Sequence, residues 1–241
     1  MNNSQNILKN FFHEVSLNIC PFYSSYSEIL LNAISENNVD RDTVKKYALA
    51  IQDLTELLSI NMSIVNLEIN PGFFDLERTR QINIAEIFTK AKNIYKRKSK
   101  LKNKRLSFYI HGSRNPFIET FPIIRLIPFI IFDNCLKYSP SDDIVDIELS
   151  EMQTGCKITI NSIGPALDKT EINRITEDGF RGKNAHNTRV EGNGIGLYYL
   201  EKIINRIQSK VTFNSDTSTF KKNDIDYSNF MIILELKNIS E

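Results

Sequence analysis

Residues 191–203 read EGNGIGLYYLEKI, a glycine-rich segment directly before a helical pattern. Gly192, Gly194 and Gly196 alternate with other residues. Apolar residues then recur at spacings of three and four, which predicts a helix with one apolar face. Glycines let a ligand approach the backbone closely, and the N–H groups that open a helix attract anions. The segment therefore predicts an anion site, although glycines before a helix also occur in plain turns.

The spacing of these glycines excludes two common nucleotide-binding motifs. A dinucleotide fingerprint has G-x-G-x-x-G after a strand, and a P-loop needs G-K-[ST]. This chain has G-x-G-x-G-L, and no lysine follows the glycines directly. The anion must therefore be identified from other parts of the sequence.

The composition is that of an ordinary globular protein. Of the 241 residues, 41% are hydrophobic and 24% are charged, and the net charge of +1 argues against general attraction to nucleic acid or to an anionic membrane. Three cysteines without metal or redox spacing indicate free thiols in a reducing compartment. The longest apolar run, residues 123–132, is too short to cross a bilayer. We therefore expect a cytoplasmic protein with no nucleic-acid partner and no direct membrane span.

Residues 1–70 have the pattern of a helical hairpin. Two apolar seams with spacings of four and three run through residues 8–33 and 44–65, and the first seam alternates strictly. A polar segment rich in Asn and Asp, SENNVDRD, separates the two seams. Two helices alone bury too little apolar surface, so we expect two hairpins to pair as a homodimeric four-helix bundle.

Residues 71–241 show the mixed pattern of an α+β domain. Strands are predicted at 80–84, 105–111, 143–150, 156–161, 210–214 and 230–237. Helices are predicted at 85–98, 121–138 and 168–178, in addition to the helix after the glycines. An α/β sandwich, with helices on one face of a mixed sheet, fits this order.

The predicted helix at 121–138 ends in DNCLKYSP, where Asn134 is a polar residue in an apolar segment. An unpaired buried polar group costs about 1–3 kcal/mol, so Asn134 needs partners. It is either a structural hydrogen-bond partner or an oxygen ligand of Mg²⁺, an ion that takes few protein ligands beside substrate phosphates. One turn further, Lys137 can offer a charge to phosphate and Tyr138 a ring face to a base.

Three segments together resemble the ATP-binding boxes of histidine kinases. Asn134, Lys137 and Tyr138 resemble the N box, Gly179-Phe180-Arg181-Gly182 resembles the F box, and GNGIGL at 192–197 resembles the G2 box, in the family's order. The resemblance implies the fold of the ATPase superfamily that histidine kinases share with topoisomerases and mismatch-repair proteins. It also implies bound ATP and Mg²⁺, with Asn134 as the metal ligand. The residues implied in nucleotide binding are Asn134, Lys137, Tyr138, Ser162, Gly164, Arg181, Gly192, Asn193, Gly194, Ile195, Gly196 and Leu197.

Residues 12–15, FHEV, resemble the H box of the same family. The resemblance implies that His13 accepts the γ-phosphoryl group of ATP, while Glu14 orients the imidazole and takes its proton. The alternative is an exposed histidine on the flank of a helix. The implied function is an ATP-dependent protein-histidine kinase of two-component signalling. Its implied partner is a response-regulator receiver domain, which accepts the phosphoryl group on an aspartate, or another signalling protein.

Three boxes depart from the family pattern. In the H box, Asn18 stands where the family has a proline five residues after the histidine. The family's G1 box reads D-x-G-x-G, with the Asp binding the adenine amino group, whereas this chain has Ser162 and Ala166 at the first and last positions. Asn161 could replace the Asp only after a shift in strand register. Ile130 stands where the N box usually has a polar residue. These departures favour the second hypothesis, a degenerate, non-catalytic phosphotransfer or scaffold protein.

Overall fold

The computed structural model describes residues 20–35, 40–70, 78–101, 106–113, 116–188, 190, 192–217 and 219–239. The chain divides into two compact units, Met1–Leu76 and Glu77–Glu241. The described part of the first unit is helical, and the second unit is an α+β domain. The predicted fold class is confirmed at this level.

Two helices form the described part of the first unit, α1 (Cys20–Ser35) and α2 (Arg41–Ile69). Asp40 caps α2, because its carboxylate accepts hydrogen bonds from the backbone N–H groups of Asp42 and Thr43 at 3.2 and 3.1 Å. The ring centroids of Tyr26 and Tyr47 lie 5.5 Å apart, so the two helices contact each other.

Both helices leave apolar side chains exposed. Leu31 is 66% exposed and Met62 is 52% exposed. Residues 41–67 of α2 are long and apolar enough to cross a membrane by length and composition, and only 6% of an 18-residue stretch within them is buried. An exposed apolar helix also suits a protein–protein interface, so length and composition are weak evidence for a membrane span.

The second unit contains a six-stranded mixed sheet. Its strands are β2 (Leu106–Gly112), β4 (Asp143–Met152), β5 (Gly155–Pro165), β6 (Lys210–Ser215), β7 (Phe220–Lys222) and β8 (Ile225–Lys237). The order is β2-β4-β5-β8-β6, and β7 also pairs with β8. Only β2 and β4 are parallel among the described pairs. A separate antiparallel pair is formed by β1 (Arg80–Asn83) and β3 (Phe117–Thr120).

Three helices pack against one face of the sheet: α3 (Ile84–Leu101), α4 (Ile127–Tyr138) and α7 (Gly196–Arg206). Two short helices, α5 (Lys169–Ile172) and α6 (Lys183–Asn187), lie between β5 and α7 in the chain. Phe132 of α4 is at the centre of the core, with its ring centroid 4.8 Å from that of Phe108 and 5.9 Å from that of Phe88. The core thus holds α4 firmly between α3 and the sheet.

Two predicted helices are shorter than the sequence pattern indicates. The segment predicted as one helix over 121–138 begins as a 3₁₀ turn, Pro122–Leu126, and becomes α-helical at Ile127. Pro128 explains the change, because proline has no N–H to donate and fits only the first turn of an α-helix. The helix predicted at 168–178 is α5 alone. After it, Arg174 and Glu177 donate to carbonyls three residues back, which is a succession of turns.

Candidate functional site

One face of α4 lies against the glycine-rich segment. Ile130, Asn134 and Tyr138 are one turn apart on that face. A Cβ added at Gly196 would lie 3.8 Å from Cγ2 of Ile130, and one added at Gly192 would lie 2.8 Å from Oη of Tyr138. Half-buried Asn134 lies between these two contacts. The structure therefore brings the predicted metal ligand and the predicted phosphate-binding glycines together.

Gly194 joins the glycine-rich segment to the Gly179-Phe180 segment. Its φ is +68°, which favours glycine. A Cβ at Gly194 would lie 2.4 Å from the carbonyl oxygen of Phe180 and 2.6 Å from the carbonyl carbon of Gly179, which no side chain can occupy. The two segments thus touch backbone to backbone, and only glycine permits that contact.

The start of α7 can bind an anion. Ile195 is its N-cap residue, and within the described part of the chain no side chain caps this end. The N–H groups of the first helical turn therefore remain available to a ligand. Leu197 is buried and anchors the helix start, while Asn193 is exposed.

Arg181 holds the loop between the two glycine segments. Its Nη1 donates to the carbonyl of Gly192 at 3.1 Å, and its Nη2 donates to the carbonyls of Ala185 and Val190, both at 2.9 Å. The guanidinium also lies 5.8 Å from the ring centroid of Tyr138. Its buried Nε finds no hydrogen-bond partner among the described residues. Sequence reasoning gave Arg181 a direct role in nucleotide binding, whereas its observed contacts shape the loop.

Further contacts fix the loop that begins after β5. The carboxylate of Glu171 accepts from the N–H groups of Lys183, at 2.7 Å, and of Asp168, at 3.0 Å. The side-chain amide of Asn184 donates to the carbonyl of Ala166 at 2.9 Å. These bonds tie α6 to the end of β5 without help from a ligand.

Ser162 lies on the helix-covered face of β5. Strand residues alternate between faces, and Ser162 shares the buried face with Ile158 and Ile160, whereas Asn161 faces the opposite side. Asn161 pairs in register with Asp146 of β4 and with Met231 of β8. The register shift that Asn161 would need to replace the family's aspartate is therefore absent from β5.

Gly164 has more space than Gly192 and Gly194. A Cβ added there would lie 3.6 Å from Cβ of Phe230, an ordinary contact. The phosphate side of the site therefore fits a nucleotide, through its glycines and the uncapped start of α7. The base side lacks the carboxylate of the family pattern, because Ser162 has a short uncharged side chain.

Lys137 is ion-paired with a residue that sequence reasoning missed. Its ammonium nitrogen lies 2.6 Å from Oδ2 of Asp133, and the ammonium nitrogen of Lys98 lies 3.2 Å from Oδ1. Burial alone would raise the pKa of Asp133, but the charges of Lys137 and Lys98 hold it well below the usual range. The spacing of four residues between Asp133 and Lys137 was the available signal.

Two predicted catalytic residues, His13 and Glu14, lie outside the described residues. Among the residues that are described, no group of three His, Cys, Asp or Glu side chains could hold a metal ion. Asn134 alone would be an incomplete site for Mg²⁺. The arrangement fits this ion only together with oxygen ligands from nucleotide phosphates and water.

Part of the second unit matches a known protein family. Residues 123–236 match the family of histidine kinase-, DNA gyrase B- and HSP90-like ATPases. The histidine protein kinase SaeS of Staphylococcus epidermidis is 25% identical over 214 residues, which are 87% of this chain and 59% of SaeS. SaeS of Staphylococcus aureus is 24% identical over 213 residues. The chain thus spans 59% of the length of these relatives.

Solved structures share the fold. The mycobacterial sensor histidine kinase MprB matches with a TM-score of 0.52 and 15% identity, over 67% of this chain and 99% of that chain. Full-length ShkA, solved in complex with AMPPNP, matches with a TM-score of 0.53 and 12% identity, over 100% of this chain and 47% of that chain. The predicted ATPase fold and the resemblance to sensor histidine kinases are confirmed.

Proposed function

We propose, from a domain that belongs to the histidine kinase-, DNA gyrase B- and HSP90-like ATPases, that this chain is an ATP-dependent protein-histidine kinase of two-component signalling. One observation carries the proposal. Gly194 lies against the backbone of Gly179 and Phe180, and this contact holds the uncapped start of α7 beside the face of α4 that presents Asn134. Among its fold neighbours, ShkA was solved with AMPPNP, which supports ATP as the nucleotide.

Different residues of the site bind different parts of the nucleotide and its metal ion. The backbone from Gly192 to Leu197 receives the phosphate groups, and Asn134 supplies an oxygen ligand to Mg²⁺. When bound, Mg²⁺ neutralises phosphate charge. Tyr138 and Ser162 are the residues that would hold the base. Arg181 keeps the loop between the glycine segments folded.

The proposed reaction uses the first unit. A ring nitrogen of His13 attacks the γ-phosphorus, the bond to the ADP oxygen breaks, and Glu14 takes the imidazole proton. The phosphoryl group then passes to an aspartate of a response-regulator receiver domain. Exposed Leu31 and Met62 support pairing of two chains as a homodimer, and the proposal places the chain in the cytoplasm.

A second candidate is a degenerate scaffold protein that keeps the fold but does not transfer phosphate from ATP. Two observations favour it: Ser162 provides no carboxylate to an adenine amino group, and Ile130 is buried where the family has a polar residue. The intact glycine segments favour the kinase, because their backbone contact holds the uncapped start of α7 beside Asn134.

The deciding experiment is incubation with γ-labelled ATP and Mg²⁺, followed by an acid-lability test of the label. We expect acid-labile label in the unaltered chain. His13→Gln should abolish it while nucleotide affinity stays near that of the unaltered chain. Glu14→Gln should slow labelling by about 10²–10⁴-fold, the usual contribution of a general base.

The controls separate the two candidates. Asn134→Ala should remove Mg²⁺-dependent nucleotide binding, and a chelator should do the same. Nucleotide binding without labelling would favour the scaffold protein. Label that persists in the His13→Gln protein would show that another residue is the acceptor.

A further inference from the structure

Asp133 shares its carboxylate between two lysines. Oδ1 lies 3.2 Å from Nζ of Lys98 on α3, and Oδ2 lies 2.6 Å from Nζ of Lys137 on α4. The side chain of Asp133 is 25% exposed, that of Lys98 18% and that of Lys137 33%. The three groups therefore form one partly buried charge cluster, with two positive charges and one negative.

Lys98 and Lys137 differ in how freely their ammonium groups can move to another anionic partner. Lys137 is three residues after Asn134 on α4, so its flexible stem begins beside the face that meets the glycines. Lys98 is the less exposed of the two, and its ammonium lies 5.2 Å from the ring centroid of Tyr95. Packing thus holds Lys98 in place, while Lys137 is the lysine that can exchange one anionic partner for another.

We propose that Lys98 is a positioning residue that allows Lys137 to leave Asp133 and bind a nucleotide phosphate. A partly buried carboxylate that loses its only cation is strongly disfavoured. Lys98 removes that penalty, because Asp133 keeps one charged partner after Lys137 has moved. The inference rests on the proposed function, since it needs a nucleotide at the glycine-rich segment.

The charges of Lys98, Asp133 and Lys137 predict whether each substitution weakens or restores phosphate binding. With Lys98 present, the departure of Lys137 leaves a neutral pair of Asp133 and Lys98. Without Lys98, Asp133 and Lys137 hold each other and the phosphate loses its cation. Without both Lys98 and Asp133, the carboxylate that holds Lys137 is gone and Lys137 is again available to phosphate.

The test is calorimetric titration of the full chain with AMPPNP and Mg²⁺. Lys98→Met should weaken binding by about fivefold to tenfold, within the range of couplings inside one ion-pair network. Lys96→Met is the matched control, because Lys96 is an exposed lysine on the same helix and its loss changes the net charge equally. It should leave the affinity unchanged. Lys98→Arg, which keeps the charge, should also bind normally.

Two double variants distinguish the movement of Lys137 from Asp133 to phosphate from a simple loss of positive charge. Adding Asp133→Asn to Lys98→Met should restore the affinity, although it disrupts the network further. In a Lys137→Met background, Lys98→Met should have no additional effect. Thermal unfolding of each protein shows whether it is folded under the titration conditions.

The inference is overturned if Lys98→Met and Lys96→Met behave alike, or if Asp133→Asn fails to restore binding in a folded double variant. An unaltered chain that binds no AMPPNP would overturn the proposed function and this inference together. Binding by the unaltered chain without the expected differences would overturn the inference alone.

Discussion

At one end of the candidate site, Gly194 lies against the backbone of Gly179 and Phe180, where no Cβ can fit. At the other end, Gly164 of β5 has ordinary space around it, and Ser162 replaces the family's aspartate without disturbing the strand. The first end is made of backbone contacts, and the second of exchangeable side chains. The phosphate end therefore cannot change without altering the loop, whereas the base end can change while the fold persists.

The largest effect should come from Gly194→Ala. A Cβ there requires an unfavourable left-handed backbone and overlaps three backbone atoms, so the loop must move. We expect histidine labelling to fall by about a hundredfold, since a shift of about 1 Å can have that effect. Labelling rates with γ-labelled ATP measure it.

Gly164→Ala is the matched control at the base end. It adds the same methyl group in ordinary space and should lower the labelling rate far less than Gly194→Ala does. Equal losses of labelling rate in the two variants would show that the two ends of the site respond alike to an added methyl group.

Next in size is Arg181→Lys. Arginine donates to three carbonyls of the loop, and a lysine ammonium cannot reproduce that planar arrangement. Loss of these charged hydrogen bonds should destabilise the loop by about 2–3 kcal/mol. Hydrogen exchange of amides 182–192 in the nucleotide-free protein should accelerate accordingly.

Arg125→Lys serves as the control, because Arg125 is exposed and lies outside the loop, in the turn Pro122–Leu126. Its loop exchange should match that of the unaltered chain. Unchanged exchange in Arg181→Lys, combined with lost nucleotide binding, would instead make Arg181 a direct ligand.

A smaller loss is expected for Gly192→Ala, because the clash is with the movable end of a side chain. The new Cβ would lie 2.8 Å from Oη of Tyr138. Mild overpacking of this kind costs about 1–3 kcal/mol, and we expect the lower part of that range. Thermal unfolding and AMPPNP titration measure the loss.

Tyr138→Phe supplies the rescue for that variant. It removes the oxygen that the new Cβ meets, so the double variant should recover most of the lost stability. A double variant no better than Gly192→Ala would show that the glycine is needed for its backbone alone.

The smallest effect, and the only gain, is predicted for Ser162→Asp. A carboxylate accepts a charge-assisted hydrogen bond from the adenine amino group, worth about 1.5–3 kcal/mol against about 1 kcal/mol for a neutral bond. ATP should therefore bind about tenfold tighter, with a sharper preference over GTP. Calorimetric titration with both nucleotides measures this. Tight, adenine-specific binding by the unaltered chain would show that another group already recognises the base.

The sequence predicted most elements of the ATPase domain because their periodicity is strong. The helix after the glycines has a clear apolar face, and β4 alternates regularly. The short strands β3 and β7 were not predicted, since three or four residues carry too little periodicity. The helix predicted at 168–178 is wrong beyond Ile172, because hydrogen bonds to carbonyls three residues back replace the helical ones there.

The sequence predicted which residues form the site, but not which other residues each of them contacts. Glycine spacing identified Gly194, because glycine is required where backbones meet. The contacts of Arg181 join residues up to eleven positions away across a folded loop, and no local pattern reports them. The bond between Asp133 and Lys98 joins two helices, so it too depends on tertiary packing.

The position of β8 has a consequence for biosynthesis. This strand, Ile225–Lys237, comes last among the strands of the described chain, yet it lies between β5 and β6 in the sheet. Until residue 237 has left the ribosome, β5 has an unpaired edge along the stretch that carries Ser162, and such edges are prone to aggregation. The nascent domain is therefore expected to complete its nucleotide site only after translation of β8, and to depend on chaperones until then.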